Sequence, residues 1–213
     1  MDVVVLGGHG KVGLRLLRLL GENGHRARGV IRDPDQEEDL KRMGAEAIVV
    51  DIENKELARE HVAGADAVVM AAGAGPGSGP ARKRTVDYGG AVELIEAAKR
   101  FEIARYMMVS AIGATRPEAA SDEMRPYYDA KAEADRALME SGLDYTIVRP
   151  GGLTDDPGTG KVEVAERLER GGSIPRDDVA AVLYACLEAD NTIGKGFDLL
   201  SGETPIDPAV RSL

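Results

Sequence analysis

The sequence predicts an α/β fold, a doubly wound and mostly parallel sheet with helices on both faces, and three observations carry that reading. Short β-branched runs alternate with amphipathic stretches of helical period. No internal repeat or charge block interrupts the alternation. Two stretches rich in glycine and proline, residues 74–80 and 151–160, each follow a predicted strand, and in such sheets the strands' C-terminal ends line the ligand crevice.

The elements follow in order. Residues 3–6 are four consecutive apolar positions and read as a buried first strand. Residues 12–20 carry leucines at helical spacing, and residues 27–31 and 35–43 repeat the strand and helix pattern. The rhythm continues with a strand at 47–50, a helix at 55–61, a strand at 67–71, a long helix at 85–101 and a strand at 105–109. The second half adds a helix at 127–141, a strand at 145–148, a helix at 177–188 and a late strand at 197–200. Parallel strands need a crossover, usually helical and right-handed, so this order implies helices covering both faces.

Bulk properties narrow the classes. A chain of 213 residues, 43% hydrophobic and 30% charged, is expected to fold as one soluble domain, with residues from about 151 onward forming a short substrate-side portion. No apolar run reaches the roughly 20 residues of a membrane span, and the first strand meets glycine too early for a signal peptide. A cytoplasmic protein with no membrane partner is therefore expected. The net charge of -10 argues against nucleic acid, whose phosphates call for a basic surface. The single cysteine, Cys186, falls in a helical apolar pattern and reads as a small core residue. The histidines, His9, His25 and His61, are scattered, so no metal site is expected.

The strongest motif is Gly7-Gly8-His9-Gly10-Lys11-Val12-Gly13, placed directly between the first strand and the first helix. The early glycines permit a tight turn and close backbone approach to a pyrophosphate, and Gly13 lets the helix pack on the strand. The helix N-terminus adds free N–H groups and a positive dipole end. This is the signature of dinucleotide binding in a Rossmann fold. About twenty residues further on, where an acid would bind a ribose 2'-hydroxyl and an arginine a 2'-phosphate, the chain offers both, as Arg32 and Asp33. The choice stays open there, with Arg32 favouring NADP over NAD.

Asp51-Ile52 after the third strand and Ala71-Ala72-Gly73 after the fourth are placed to border adenine and ribose. For chemistry, Tyr127 and Lys131 stand four apart on one helix face, with Ser110 closing the preceding strand. A lysine ammonium there is expected to stabilise tyrosinate and lower the phenol pKa, giving a tyrosine general acid.

Together these residues resemble the short-chain dehydrogenase/reductase superfamily, in its atypical NAD(P)-binding branch of NmrA-like proteins and flavin and biliverdin-IX-beta reductases. The likeness spans nearly the whole chain and is most specific at Leu143-Asp144-Tyr145-Thr146-Ile147-Val148-Arg149-Pro150-Gly151. It implies that Pro150, Gly151, Gly152 and Leu153 flank the nicotinamide, that Gly73 lies by the cofactor, that Asp51 and Ile52 border the adenine, and that Arg32 meets the 2'-phosphate. It also implies that Tyr127 and Lys131 are the catalytic pair. The chain departs from the pattern where Ala111 follows Ser110 in place of a second serine, and Ser110 stands 17 positions before Tyr127, a wide separation.

The resemblance implies an NADPH-dependent oxidoreductase. About sixty residues follow the Arg-Pro-Gly loop, which disfavours a nucleotide sugar and favours a small or planar acceptor such as a flavin, quinone, tetrapyrrole or carbonyl compound. The alternatives are an NmrA-like redox sensor that reports to a protein partner, and a small NAD-dependent sugar epimerase or dehydratase. A homo-oligomer is compatible with each.

Overall fold

The computed structural model describes residues 1–53, 57, 59–75 and 77–213. Among the described residues, seven strands form a continuous parallel array: β1 (Asp2–Leu6), β2 (Arg26–Ile31), β3 (Glu46–Val49), β4 (Ala67–Met70), β5 (Arg105–Val109), β6 (Asp144–Pro150) and β10 (Lys195–Ser201). Their order is β3-β2-β1-β4-β5-β6-β10. The order reverses between β1 and β4, and in open α/β sheets that switch point opens a ligand crevice at the strand ends. Strand β8 (Lys161–Ala165) extends the sheet antiparallel to β10, and β11 (Thr204–Pro205) pairs antiparallel with β8. Strands β7 (Gly152–Thr154) and β9 (Ser173–Pro175) form a separate parallel pair.

The central strands are enclosed on both sides. Val3, Val4 and Val5 of β1 and Ala67, Val68, Val69 and Met70 of β4 are fully buried, as expected of a parallel sheet covered on both faces. Helices α1 (Lys11–Glu22), α2 (Glu37–Arg42) and α7 (Arg176–Leu187) cover one face, burying Leu16, Leu17, Leu20, Leu40, Leu183 and Cys186. Helices α3 (Arg59–Val62), α5 (Gly90–Arg100) and α6 (Arg125–Met139) cover the other, with Leu94, Ala98 and Leu138 packed on Tyr106 and Met108. Helix α8 (Ile206–Arg211) closes the chain with Ala209 and Val210 buried.

Several boundaries differ from the sequence expectation. The long helix expected at 85–101 begins at Pro80: α4 (Pro80–Lys83) runs through a π-helical turn at Arg84–Gly89 into α5. Proline at the first helical position is favourable, because it lacks only an N–H that would have no helical acceptor. The stretch 151–160, expected to be a loop, contains β7. Strands β8, β9 and β11 and helix α8 are additions to the predicted elements. Of the helix expected at 55–61, Lys55, Glu56 and Ala58 lie outside the described residues, and α3 occupies Arg59–Val62. Pro76, in the glycine- and proline-rich stretch 74–80, also lies outside them.

Candidate functional site

The glycine turn is shaped by close packing. Gly7 adopts φ +87°, and a Cβ there would stand 2.6 Å from the Ala72 backbone. A Cβ on Gly13 would overlap the Gly7 carbonyl oxygen, so α1 can start against β1 only with glycine at that position. Gly10 donates its N–H to the Gly7 carbonyl at 2.9 Å and caps α1 in an extended conformation. The first N–H groups of α1, from Lys11, Val12 and Gly13, have no acceptor within the helix, as at any helix N-terminus. Gly8 packs beneath this turn on Gly29 of β2.

A cleft of about 380 Å³ opens beside the turn, across the ends of β1 to β4. Of the expected cofactor residues, Gly7, His9, Gly10, Arg32, Asp51, Ile52, Ala71, Ala72 and Gly73 line it. Gly8, Val12 and Gly13 lie beneath it, buried. His9 Nε2 is 2.7 Å from Asp39 Oδ2, tying the turn to α2. Lys11 reaches the other way and donates to Asp155 Oδ2 at 2.5 Å. Asp155 also meets Arg176 at 2.9 Å, so the segment after β7 is held against the start of α1. Of the residues expected to flank the nicotinamide, Pro150, Gly151, Gly152 and Leu153 do not line this cleft; Gly151 donates to the Leu199 carbonyl at 3.0 Å and Gly152 to the Gly172 carbonyl at 2.9 Å. Pro150 is buried at the end of β6.

The second part of the site lies around α6. Lys131 is almost fully buried, donates to the Val109 carbonyl at 3.0 Å, and stands 3.1 Å from Asp87 Oδ1. Its Nζ is 5.9 Å from the centre of the Tyr127 ring. Asp87 Oδ2 accepts from the Ala74 N–H at 3.3 Å, and a Cβ on Gly73 would be 3.3 Å from Asp87 Oδ1. Asp87 therefore links the end of the cleft to Lys131.

The phenol pKa moves opposite to the expectation. Burial pushes Tyr127 up, and Lys131 pulls it down without reversing the shift, because Asp87, Tyr128 and Asp135 act in the same direction as burial. Tyr127 is thus held protonated. Ser110 is buried and faces Asp135, whose carboxylate it favours, at a geometry short of a full hydrogen bond. Among the described residues no hydrogen bond joins Ser110 to Tyr127. The intervening residues fold into two 3₁₀ turns, Ile112–Thr115 and Pro117–Ala119, with Gly113 against the Tyr128 ring.

Sequence reasoning missed Asp87 and Asp135. Asp135 Oδ2 accepts from Arg149 Nε at 2.7 Å in a buried pair. Their signal was available: Asp135 continues the four-residue spacing of Tyr127 and Lys131, and Asp87 sits inside an apolar helical stretch. Among the described residues, no group of three or more His, Cys, Asp or Glu is placed to hold a metal, and no helix is long and apolar enough to cross a membrane.

A family model described as NAD(P)H-binding matches residues 7–190, from the glycine turn through α7. This chain belongs to that NAD(P)H-binding family. It is 43% identical over 216 residues to an uncharacterized sugar epimerase of Bacillus subtilis, with all of both chains covered. Among solved structures, it superimposes on a Bacillus halodurans protein described as a candidate NAD-dependent epimerase/dehydratase, with TM-score 0.96, 40% identity and full coverage of both chains. An anaerobillin reductase of Escherichia coli O157:H7 gives TM-score 0.77 at 26% identity, with 94% of this chain and 97% of that one covered. The resemblance to the atypical short-chain dehydrogenase/reductase branch holds, and the relatives span both reductases and an epimerase.

Proposed function

We propose that this protein is a cytoplasmic NADPH-dependent reductase of a small or planar acceptor, such as a flavin, quinone, tetrapyrrole or carbonyl compound. The observation that carries this reading is the half-buried Tyr127 ring, whose centre lies 5.9 Å from the ammonium of the buried Lys131. A phenol can give a proton to the oxygen of a carbonyl acceptor as reduction requires, and the Lys131 ammonium favours the phenolate left behind, against the opposing effect of burial.

Bound NADPH would supply hydride for the reduction, and Tyr127 would supply the proton that a carbonyl oxygen takes up. The chain's own residues bind and orient. The glycine turn and the start of α1 receive the pyrophosphate. Pro150, Gly151, Gly152 and Leu153 form the wall on the nicotinamide side. Lys131, held by Asp87 and the Val109 carbonyl, moderates the charge that forms on Tyr127. A flavin acceptor needs little beyond proximity.

The test compares wild type with Tyr127→Phe against flavins, quinones and small carbonyls. Carbonyl reduction is expected to fall by about 10²–10⁴-fold with NADPH affinity unchanged. Binding of NADPH with no acceptor reduced by wild type would refute the reading. A second reading, a small sugar epimerase or dehydratase, draws on the name of the Bacillus subtilis relative. Turnover of an unlinked sugar with catalytic bound NAD, and no net consumption of cofactor, would select it.

A further inference from the structure

Three elements converge at the far end of the cleft. Arg32 follows β2, Glu53 follows β3, and Arg82 comes from α4; all three line the cleft. Glu53 Oε2 stands 3.7 Å from Arg32 Nη1 and 3.3 Å from Arg82 Nη2. Its other oxygen accepts a 2.7 Å hydrogen bond from Thr85 Oγ1. Charge-assisted N–H···O bonds run at about 2.7–2.9 Å, so the arginine contacts are slack where the Thr85 contact is tight. The two arginine side chains are also exposed, at 57% and 42% of their surface.

A dinucleotide with its pyrophosphate on the glycine turn places its adenosine ribose near the end of β2, beside Arg32. A phosphate monoester carries about -1.5 to -2 charge at pH 7, more than a carboxylate, and its terminal oxygens can engage two arginine forks together. We propose that Arg82 is the second arm of a 2'-phosphate clamp and that Glu53 is the counter-anion which the phosphate displaces from both arginines. These two residues, with Arg32, then set the preference for NADP over NAD. The inference rests on the NADP assignment made above and goes beyond it by naming Arg82 and Glu53.

The experiment is calorimetric titration of the full chain with adenosine 2',5'-bisphosphate and with 5'-AMP, for wild type, Arg32→Gln, Arg82→Gln and Glu53→Gln. Thermal midpoints are recorded to confirm that each variant is folded. Arg82→Gln is expected to weaken bisphosphate binding by about tenfold or more, the size of one charge-assisted contact, and to leave 5'-AMP within about twofold. Glu53→Gln is expected to tighten bisphosphate binding severalfold and leave 5'-AMP unchanged. If Arg32→Gln removes the discrimination and Arg82→Gln does not, the clamp is refuted while the NADP assignment stands. Weaker binding of both ligands in Glu53→Gln would assign Glu53 to the ribose hydroxyls and overturn its counter-anion role. Equal affinity of wild type for the two ligands would overturn the NADP assignment and the clamp with it. None of these outcomes depends on turnover.

Discussion

Asp87→Asn removes the carboxylate facing Lys131 and keeps its shape. Lys131 Nζ then retains the Val109 carbonyl at 3.0 Å but loses the anion at 3.1 Å, in a setting where the two side chains are 4% and 0% exposed. Removing one partner of a buried pair costs about 3–5 kcal/mol, because the other charge is left uncompensated. A chain of this size loses about 2–4 °C of melting temperature per kcal/mol, so a fall on the order of 10 °C is expected at neutral pH. The pH dependence gives a sharper test. Burial works to lower the Lys131 pKa, but Tyr127, Asp87 and Asp135 outweigh it and hold the ammonium above its ordinary range. A raised folded-state pKa contributes stability that is fully present below about pH 10.4 and is lost as pH rises through the folded value. In Asp87→Asn, burial is expected to dominate and the sign reverses, so the deficit against wild type narrows as pH climbs from about 7 towards 10. Scanning calorimetry across that range measures both effects. A deficit under about 2 °C at neutral pH, or one that does not change with pH, would refute the reasoning. The double variant Asp87→Leu/Lys131→Met should recover much of the loss, since a buried pair replaced by apolar groups is often neutral.

The same geometry sets three further outcomes. Gly13→Ala sets a Cβ against the Gly7 carbonyl; it should lower stability by about 1–3 kcal/mol and abolish the thermal shift produced by NADPH. Arg149→Met strands Asp135 in the interior, and urea titration should show a loss of about 3–5 kcal/mol. The Cys186 thiol is pushed up to about 12 by burial, so a thiol reagent at mildly alkaline pH should label it only after unfolding; rapid labelling of the native protein would contradict its placement in the core.

The parallel array is legible in sequence because β1, β4 and β5 are apolar runs separated by helical periodicity, and the glycine turn is legible because Gly7 and Gly13 stand where only glycine fits. The C-terminal portion is harder. Strand β8, Lys161–Ala165, does alternate, with Val162 buried, but it is short and flanked by glycine and charged residues that resemble a loop. Strands β7 and β9 have three residues each and exist through their mutual pairing, which no local pattern encodes. The direction of the Tyr127 shift is hidden for a related reason. Lys131 is visible four residues away in sequence, whereas Asp87 and the depth of burial are set by packing of the π-helical turn against α6.

Helix α6 shows how the two ends of the site differ. Tyr127, Lys131 and Asp135 recur along one face, and the second and third are each held by a buried ion pair to a different element: Asp87 before α5 and Arg149 on β6. Arg149 lies in register with Asp198 on β10, whose Oδ2 accepts from the Leu168 N–H at 2.9 Å. Rotating or sliding α6 would break both pairs at once, each at the cost of a stranded charge. The Tyr127 end of the site is therefore pinned by α6 before any ligand arrives, and on the reductase reading that holds its proton donor in position for reaction. At the far end of the cleft the contacts of Glu53 with Arg32 and Arg82 are long and exposed, and they can be exchanged at little cost. On the reductase reading, discrimination between cofactors draws on the adjustable end while the chemistry relies on the rigid one, so substitutions at Arg82 or Glu53 should change which cofactor is used without moving the Tyr127 phenol.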